Sequence, residues 1–316
     1  MSGITTVLGK IPPTDLGFCQ SHEHLCIEKG RSAAVNPALC IDNPECTLAE
    51  VQEYRTAGGR AIVDAQPVGC GRSALTLADL SGRGNIHIIA STGFHKMIFY
   101  PSTHWILKYG EAQLAEIFIT ELRQGMYIDC DKSPPKRQCQ HRAGLIKTAL
   151  DNTFTTQYRK LFSAAARAAL QTGAPLMAHI EKDSDPVALA DFLEESGLAL
   201  NRVIFCHMDR MVPDLAVHKT LCRRGVVMEY DTIARGQYHS DAHEIQLLTH
   251  MLDAGFGNQL LLSLDVTRNR MLHYGGQVGL SYILNHFIPL LHKNGVHGEA
   301  IEKIFCTNPA SVFAQA

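Results

Sequence analysis

Short apolar runs recur along the chain, each followed by a longer stretch in which apolar residues return every three to four positions. The runs Leu16–His24, Arg60–Gln66, Ile86–Gly93, Ala143–Thr148, Pro175–Glu181, Val203–His207, Val226–Asp231 and Leu260–Val266 read as strands. Between and after them, Thr47–Ala57, Ser73–Leu80, Gly110–Arg123, Thr155–Gln171, Pro186–Ser196, Val212–Arg224, Asp241–Ala254 and Gln277–Lys293 read as helices. A further helix near Gly298–Ile304 precedes Asn308-Pro309, and Met126–His141, with Pro134-Pro135, reads as a loop before the fourth strand. The strand runs are almost continuously apolar, as parallel strands covered on both faces require. Gly58, Gly173, Gly197, Gly225 and Gly255 fall just after helical segments, where a left-handed cap is wanted.

Eight strand-then-helix units in 316 residues predict an α/β fold, a single (β/α)8 TIM barrel occupying 1–316 as one domain. A doubly wound sheet is the competing architecture, but no G-x-G-x-x-G opens the first unit and no low-complexity linker divides the chain. Composition narrows the picture further. The chain is 46% hydrophobic and 19% charged with a net charge of -2, and its Lys and Arg residues are scattered, which argues against a nucleic-acid partner. No apolar run reaches the roughly 18 residues a membrane span needs, and no signal-peptide pattern opens the chain, so a cytoplasmic protein is expected. The ten cysteines form no C-x-x-C pair and read as reduced.

Candidate chemistry sits at the strand ends. The first strand closes with His22 and His24, the fourth with Lys147, the fifth with His179, the sixth with His207 and the eighth with Asp265. Residues i and i+2 of a strand share a face, so His22 and His24 could share a metal ion. Each residue alone also suits a structural role: a core histidine bonded to a carbonyl, a lysine reaching solvent, an aspartate capping the next helix. Their joint arrival at one end of a barrel, where active sites of this architecture lie, points to a shared site.

The order His-x-His, Lys, His, His, Asp on strands one, four, five, six and eight resembles the amidohydrolase superfamily. The phrases HEH, AGLIK, APLMAHIE, VIFCHMDR and SLD resemble its phosphotriesterase-related family, and the likeness runs from Gly17 to Thr307–Phe313. The resemblance implies two divalent metal ions, zinc by ligand chemistry with manganese or cobalt able to substitute. His22, His24 and Asp265 match the ligands of the more buried ion, His179 and His207 those of the more exposed one. Lys147 matches a lysine that is carboxylated and bridges both. The implied reaction is hydrolysis of an ester-type centre by a hydroxide held between the ions, with Asp265 as the catalytic proton acceptor.

Substrate choice falls to the loops after strands seven and eight. Arg235, Tyr238, Arg268, Arg270 and Tyr274 border the site there and are the expected substrate-binding residues, the arginines as an anion clamp. The arginine-rich eighth loop is similar to that of family members acting on phosphorylated sugar lactones, which makes such a small molecule the expected substrate. A phosphotriesterase or a promiscuous lactonase or carboxylesterase is the alternative, and a metal-free binding protein a third. Asp64 could orient a ligand histidine and Asp209 could accept a proton. His95 and His104 could reach the mouth, and Tyr100 and Trp105 could wall the pocket or meet a second subunit. Barrels of this family are often dimers.

Overall fold

The computed structural model describes residues 2–315. Eight parallel strands form one sheet in sequential order. They are preceded by the hairpin β1 (Gly3–Thr6) and β2 (Gly9–Ile11) and followed by β11 (Ala314–Gln315). The sheet itself comprises β3 (Cys19–Glu23), β4 (Ala61–Asp64), β5 (His87–Gly93), β6 (Leu145–Leu150), β7 (Leu176–Ile180), β8 (Val203–Cys206), β9 (Val227–Tyr230) and β10 (Leu260–Leu262). Helices connect successive strands, as the right-handed crossover of a parallel sheet demands.

Side chains alternate between two cores, which explains why the strand runs lack a polar face. Ala61 and Val63, Leu145, Met177, Ile204, Val227 and Leu261 fill the barrel interior, closed below by Ile4, Val312 and Phe313. Their neighbours Ile62, Ile146, Leu176, Ala178, Phe205 and Met228 pack outward against the helices. Two residues further along the interior rows come Lys147, His179 and Glu229, so strand parity alone aims these polar groups into the mouth of the barrel.

The β10–β3 seam is sealed by side chains rather than by a regular ladder. The Glu23 carboxylate accepts the Leu264 and Val266 N–H groups at 2.9 and 2.8 Å and the Ser263 hydroxyl at 2.8 Å. Burial drives this carboxyl up to about 7 even though those bonds favour its anion.

Several expected elements are reshaped for local reasons. The predicted helix Val212–Arg224 is shortened to Leu215–Arg223, because Pro213 precedes its Asp214 cap, and a separate turn, Met208–Met211, comes before it. The predicted helix Gln277–Lys293 becomes helical only from residue 282, since Gly279 has φ +73° in a turn bonded back to Arg270. The antiparallel sheet β11-β1-β2, which joins the two ends of the chain, lay outside the predicted elements. Among the described residues, no helix is long and apolar enough to cross a membrane.

Candidate active site

A cavity of about 540 Å³ opens at the C-terminal ends of the barrel strands. His22, His24, Lys147, His179, His207 and Asp265 all line it, as do Arg235, Tyr238 and Arg270. The backbone delivers them by two routes. Parity carries Lys147 and His179, whereas His207 and Asp265 adopt positive φ, 65° and 47°, which re-aims their side chains at the ends of β8 and β10. Gly93 supports the same region: it has φ +103°, and a Cβ there would stand 2.0 Å from the Lys147 carbonyl oxygen.

Four imidazoles converge with these groups. The His179 and His207 rings meet at 4.2 Å between centroids, with Nδ1 of the first 2.6 Å from Nε2 of the second. His22 Nε2 lies 3.8 Å from Asp265 Oδ1 and His24 Nε2 lies 3.4 Å from the same oxygen. Burial holds His22 and His207 well below the ordinary histidine value, assisted by Lys147 beside the first and Arg210 beside the second, and burial brings His179 down to about 4. Neutral imidazoles with free lone pairs result, which is the form that ligates a metal. Burial pushes Asp265 up, but Arg235, His24 and Arg210 outweigh it and hold the carboxyl well below the usual carboxylate range.

The donor set fits a divalent cation. His22, His24 and Asp265 present ligand atoms within 4.8 Å of one another, and the buried Nδ1 atoms of His22 and His24 have no hydrogen-bond partner. Lys147 is 1% exposed, with Nζ 3.2 Å from His22 Nε2 and 3.6 Å from Cys206 Sγ. Among the described residues its ammonium has no carboxylate at ion-pair distance, an expensive state for a buried charge.

Two expected substrate contacts point elsewhere. Arg268 donates to the Cys40 carbonyl at 2.8 Å and to Asp42 at 2.9 Å, and its guanidinium stacks 4.8 Å above the Tyr274 ring. The Tyr274 hydroxyl in turn donates to the Asn43 carbonyl at 2.6 Å. Both residues latch the eighth loop to the loop before the helix Pro44–Ala57, outside the cavity wall. The turn Arg268–Arg270 separates them from Asn269 and Arg270, which do line it.

Other sequence candidates sort as follows. His95 lines the cavity, while His104 caps the turn Trp105–Lys108. Tyr100 accepts the His95 N–H at 2.8 Å, and Trp105 donates to the Cys130 carbonyl at 2.7 Å, so both are internal braces. Asp64 holds the Leu25 N–H at 2.8 Å and thereby the turn after His24. Asp209 faces away from the cavity and accepts the Thr232 N–H at 2.7 Å.

Three residues that line or brace the site carried no sequence assignment. Asp231 accepts from His207 Nδ1 at 2.6 Å, fixing the ring so that Nε2 faces the cavity. Arg210, buried, spans Asp231 at 3.2 Å and Asp265 at 3.0 Å beneath the Tyr238 ring. Glu181 accepts from His179 Nε2 at 3.1 Å and from Lys96 at 2.7 Å, and the histidine bond, followed by Lys96, draws its carboxyl down to about 2. Asp231 and Glu181 both close apolar strand runs, the same signal that marked the histidines.

Known proteins of one family are similar to this chain over nearly its whole length. The sequence profile of the phosphotriesterase family matches residues 2–313. A phospho-furanose lactonase of Mycoplasmopsis agalactiae is 28% identical over 98% of this chain and 91% of its own length. A lactonase structure from Listeria monocytogenes superposes with a TM-score of 0.89 at 28% identity, covering 99% of both chains. The phosphotriesterase homology protein of Escherichia coli, solved with phosphate in its active site, gives a TM-score of 0.85 at 26% identity over 95% of this chain and 99% of that one. With the profile spanning nearly every residue and the strand-end histidines, lysine and aspartate gathered in one cavity, the chain belongs to the phosphotriesterase family and is an ester-hydrolysing enzyme.

Proposed function

We propose that the chain, working as one domain over residues 1–316, is a metal-dependent lactonase whose substrate carries a phosphate group. The charge of the cavity wall carries this reading. Leaving Lys147 aside, Lys96, Arg210, Arg235 and Arg270 stand against Glu181 and Asp265, four cations to two anions. A neutral triester gains nothing from that excess, whereas guanidinium forks match phosphate oxygens. The names of the lactonase relatives and the phosphate bound by the Escherichia coli protein support it.

In this reading His22, His24 and Asp265 hold one divalent cation and His179 and His207 a second, zinc by ligand type with manganese or cobalt as substitutes. Such ions supply Lewis acidity toward a carbonyl and lower the pKa of bound water. Lys147 gains most from carboxylation: its amine adds to carbon dioxide, releases a proton and becomes a carbamate with two anionic oxygens between the two histidine pairs. Asp265 takes the proton released during attack and returns it to the leaving alkoxide. Arg235, now 2.8 Å from Asp265, exchanges that carboxylate for the substrate phosphate and so frees Asp265 to act as a base. The ten unpaired cysteines support a reducing, cytoplasmic setting.

The test is a hydrolysis panel of sugar lactones with and without phosphate, an aryl phosphotriester and an N-acyl amide, assayed on metal-loaded enzyme. Phosphorylated lactones should turn over at least tenfold faster in kcat/KM, and Arg235→Ala should remove most of that preference. Equal rates on neutral and phosphorylated lactones would sink the anion assignment. Faster hydrolysis of the triester or the amide would replace the lactone itself.

A further inference from the structure

Behind the cavity wall lies a second group of ligand-type side chains. Asp209 in the turn Met208–Met211 after β8, His239 in the loop after β9, and Glu244 in the first turn of the helix Asp241–Asp253 each present a donor atom within 4.8 Å of the others. His239 Nε2 is 3.2 Å from Glu244 Oε2 and 4.0 Å from Asp209 Oδ2. Glu244 is wholly buried, and burial followed by the Asp209 charge pushes its carboxyl well above the usual carboxylate range. Its oxygens find no hydrogen-bond donor in the surrounding protein, nor does His239 Nε2 find a partner, so the Asp209 carboxyl is the polar group left to Glu244.

The 3.2 Å approach of His239 Nε2 to Glu244 Oε2 is an ion-pair distance without a hydrogen bond. On the opposite edge of the ring His239 Nδ1 lies 3.2 Å from the Ser240 carbonyl oxygen, which can only accept, so Nδ1 is the donor there and Nε2 is the nitrogen turned toward the two carboxyls. Two buried carboxyls and an imidazole nitrogen converging on one point form a costly arrangement unless a proton or a cation lies between them. Neighbouring ligands around an ion with bonds of about 2.1 Å stand roughly 3–3.5 Å apart. The His239–Glu244 separation of 3.2 Å already matches, and the 4.0 Å between His239 and Asp209 needs a small closure.

We propose that Asp209, His239 and Glu244 bind a divalent transition-metal ion of the zinc class, separate from the centre at the barrel mouth. Two carboxylates neutralise its charge, and the imidazole supplies the nitrogen that selects such a metal over calcium or magnesium. The ion has a structural task. Asp209 follows His207 by two residues and holds the Thr232 N–H, while His239 directly follows Tyr238. Bound metal thus staples the 232–240 loop, which carries Arg235 and Tyr238 to the cavity, onto the end of β8. The rival occupant is a proton shared between the Asp209 and Glu244 carboxyls.

Zinc itself is the probe. The full chain and its Glu244→Gln and His239→Ala variants are stripped of metal, re-equilibrated with zinc, desalted and counted for zinc per chain by plasma mass spectrometry. Crystals of each are measured for anomalous scattering at the zinc edge. Each variant should hold one zinc fewer than the unaltered chain and should lose an anomalous peak among residues 209, 239 and 244. The peak beside His22, His24 and Asp265 should stay, so this result is independent of the lactonase reading. An unchanged zinc count with no peak at the three residues overturns the proposal and assigns the shared proton. Should Glu244→Gln fail to fold, His239→Ala, altered in a loop, decides alone.

Discussion

Replacing Asp231 with Asn probes how the site holds its histidines. Asp231 is fully buried and uses both oxygens. Oδ1 accepts His207 Nδ1 at 2.6 Å and faces Arg210 at 3.2 Å, while Oδ2 accepts the His207 backbone N–H at 3.1 Å and lies 3.4 Å from His22 Nδ1. An asparagine of the same shape keeps only one acceptor. If its oxygen serves the ring, its amide group confronts the His207 N–H, donor against donor. If it flips, the amide donates to Nδ1 and forces the proton onto Nε2, the nitrogen 2.6 Å from His179. Either way one charge-assisted bond is lost, worth about 1.5–3 kcal/mol, and the flipped form also removes the lone pair that would ligate a metal. Zinc affinity at the barrel mouth should therefore fall about 10–100-fold, with kcat falling at least as far. Competition against a chromophoric chelator measures the first and lactone hydrolysis at saturating zinc the second. An affinity within twofold of the unaltered protein would refute the argument, because it would mean the ring orientation does not depend on this carboxylate.

Three further outcomes follow from the geometry. Gly93→Ala places a Cβ against the Lys147 carbonyl at a backbone conformation disfavoured for alanine, so it should cost about 2–4 kcal/mol in urea unfolding; a loss under 0.5 kcal/mol would show that β5 can move aside. Arg268→Ala should leave the preference for phosphorylated substrate within twofold and cost about 1 kcal/mol or less of stability, since its partners lie outside the cavity; a loss of preference equal to that of Arg235→Ala would place it inside. In metal-stripped protein His22, His179 and His207 are held below the ordinary value of 6.5, so the unfolded chain takes up their protons first as pH falls. Their contribution is complete above about pH 6.5 and is lost on descent toward the folded value near 4 for His179, with Glu181 extending the loss from about 4.5 to 2. Imidazole proton resonances of these histidines in the folded, metal-stripped protein that titrate at or above 6.5 would contradict this.

The barrel was legible because its strands and helices repeat with a period that needs no tertiary knowledge, and Lys147 and His179 were legible because parity along β6 and β7 continues the interior rows of Leu145 and Met177. His207 and Asp265 lie beyond the regular strands, where a positive φ rather than alternation decides their direction, so residue type marked them but geometry could not. Glu23 looked like a spacer between two histidines, yet it closes the seam between β3 and β10; nothing local announces a residue whose partners are 240 positions away. The arginines of the eighth loop show the limit most clearly. Arg268 and Arg270 are two positions apart with the same chemistry, and a single short turn sends one to Asp42 and the other to the cavity. Glu50, in the helix Pro44–Ala57, anchors the stretch that follows this turn by accepting the His273 and Leu280 N–H groups. A helix outside the cavity thus anchors the loop after β10, and Glu50→Gln should shift the ratio of kcat/KM for phosphorylated over neutral lactones; a ratio within twofold of the unaltered protein would show that this anchor does not govern where Arg270 stands.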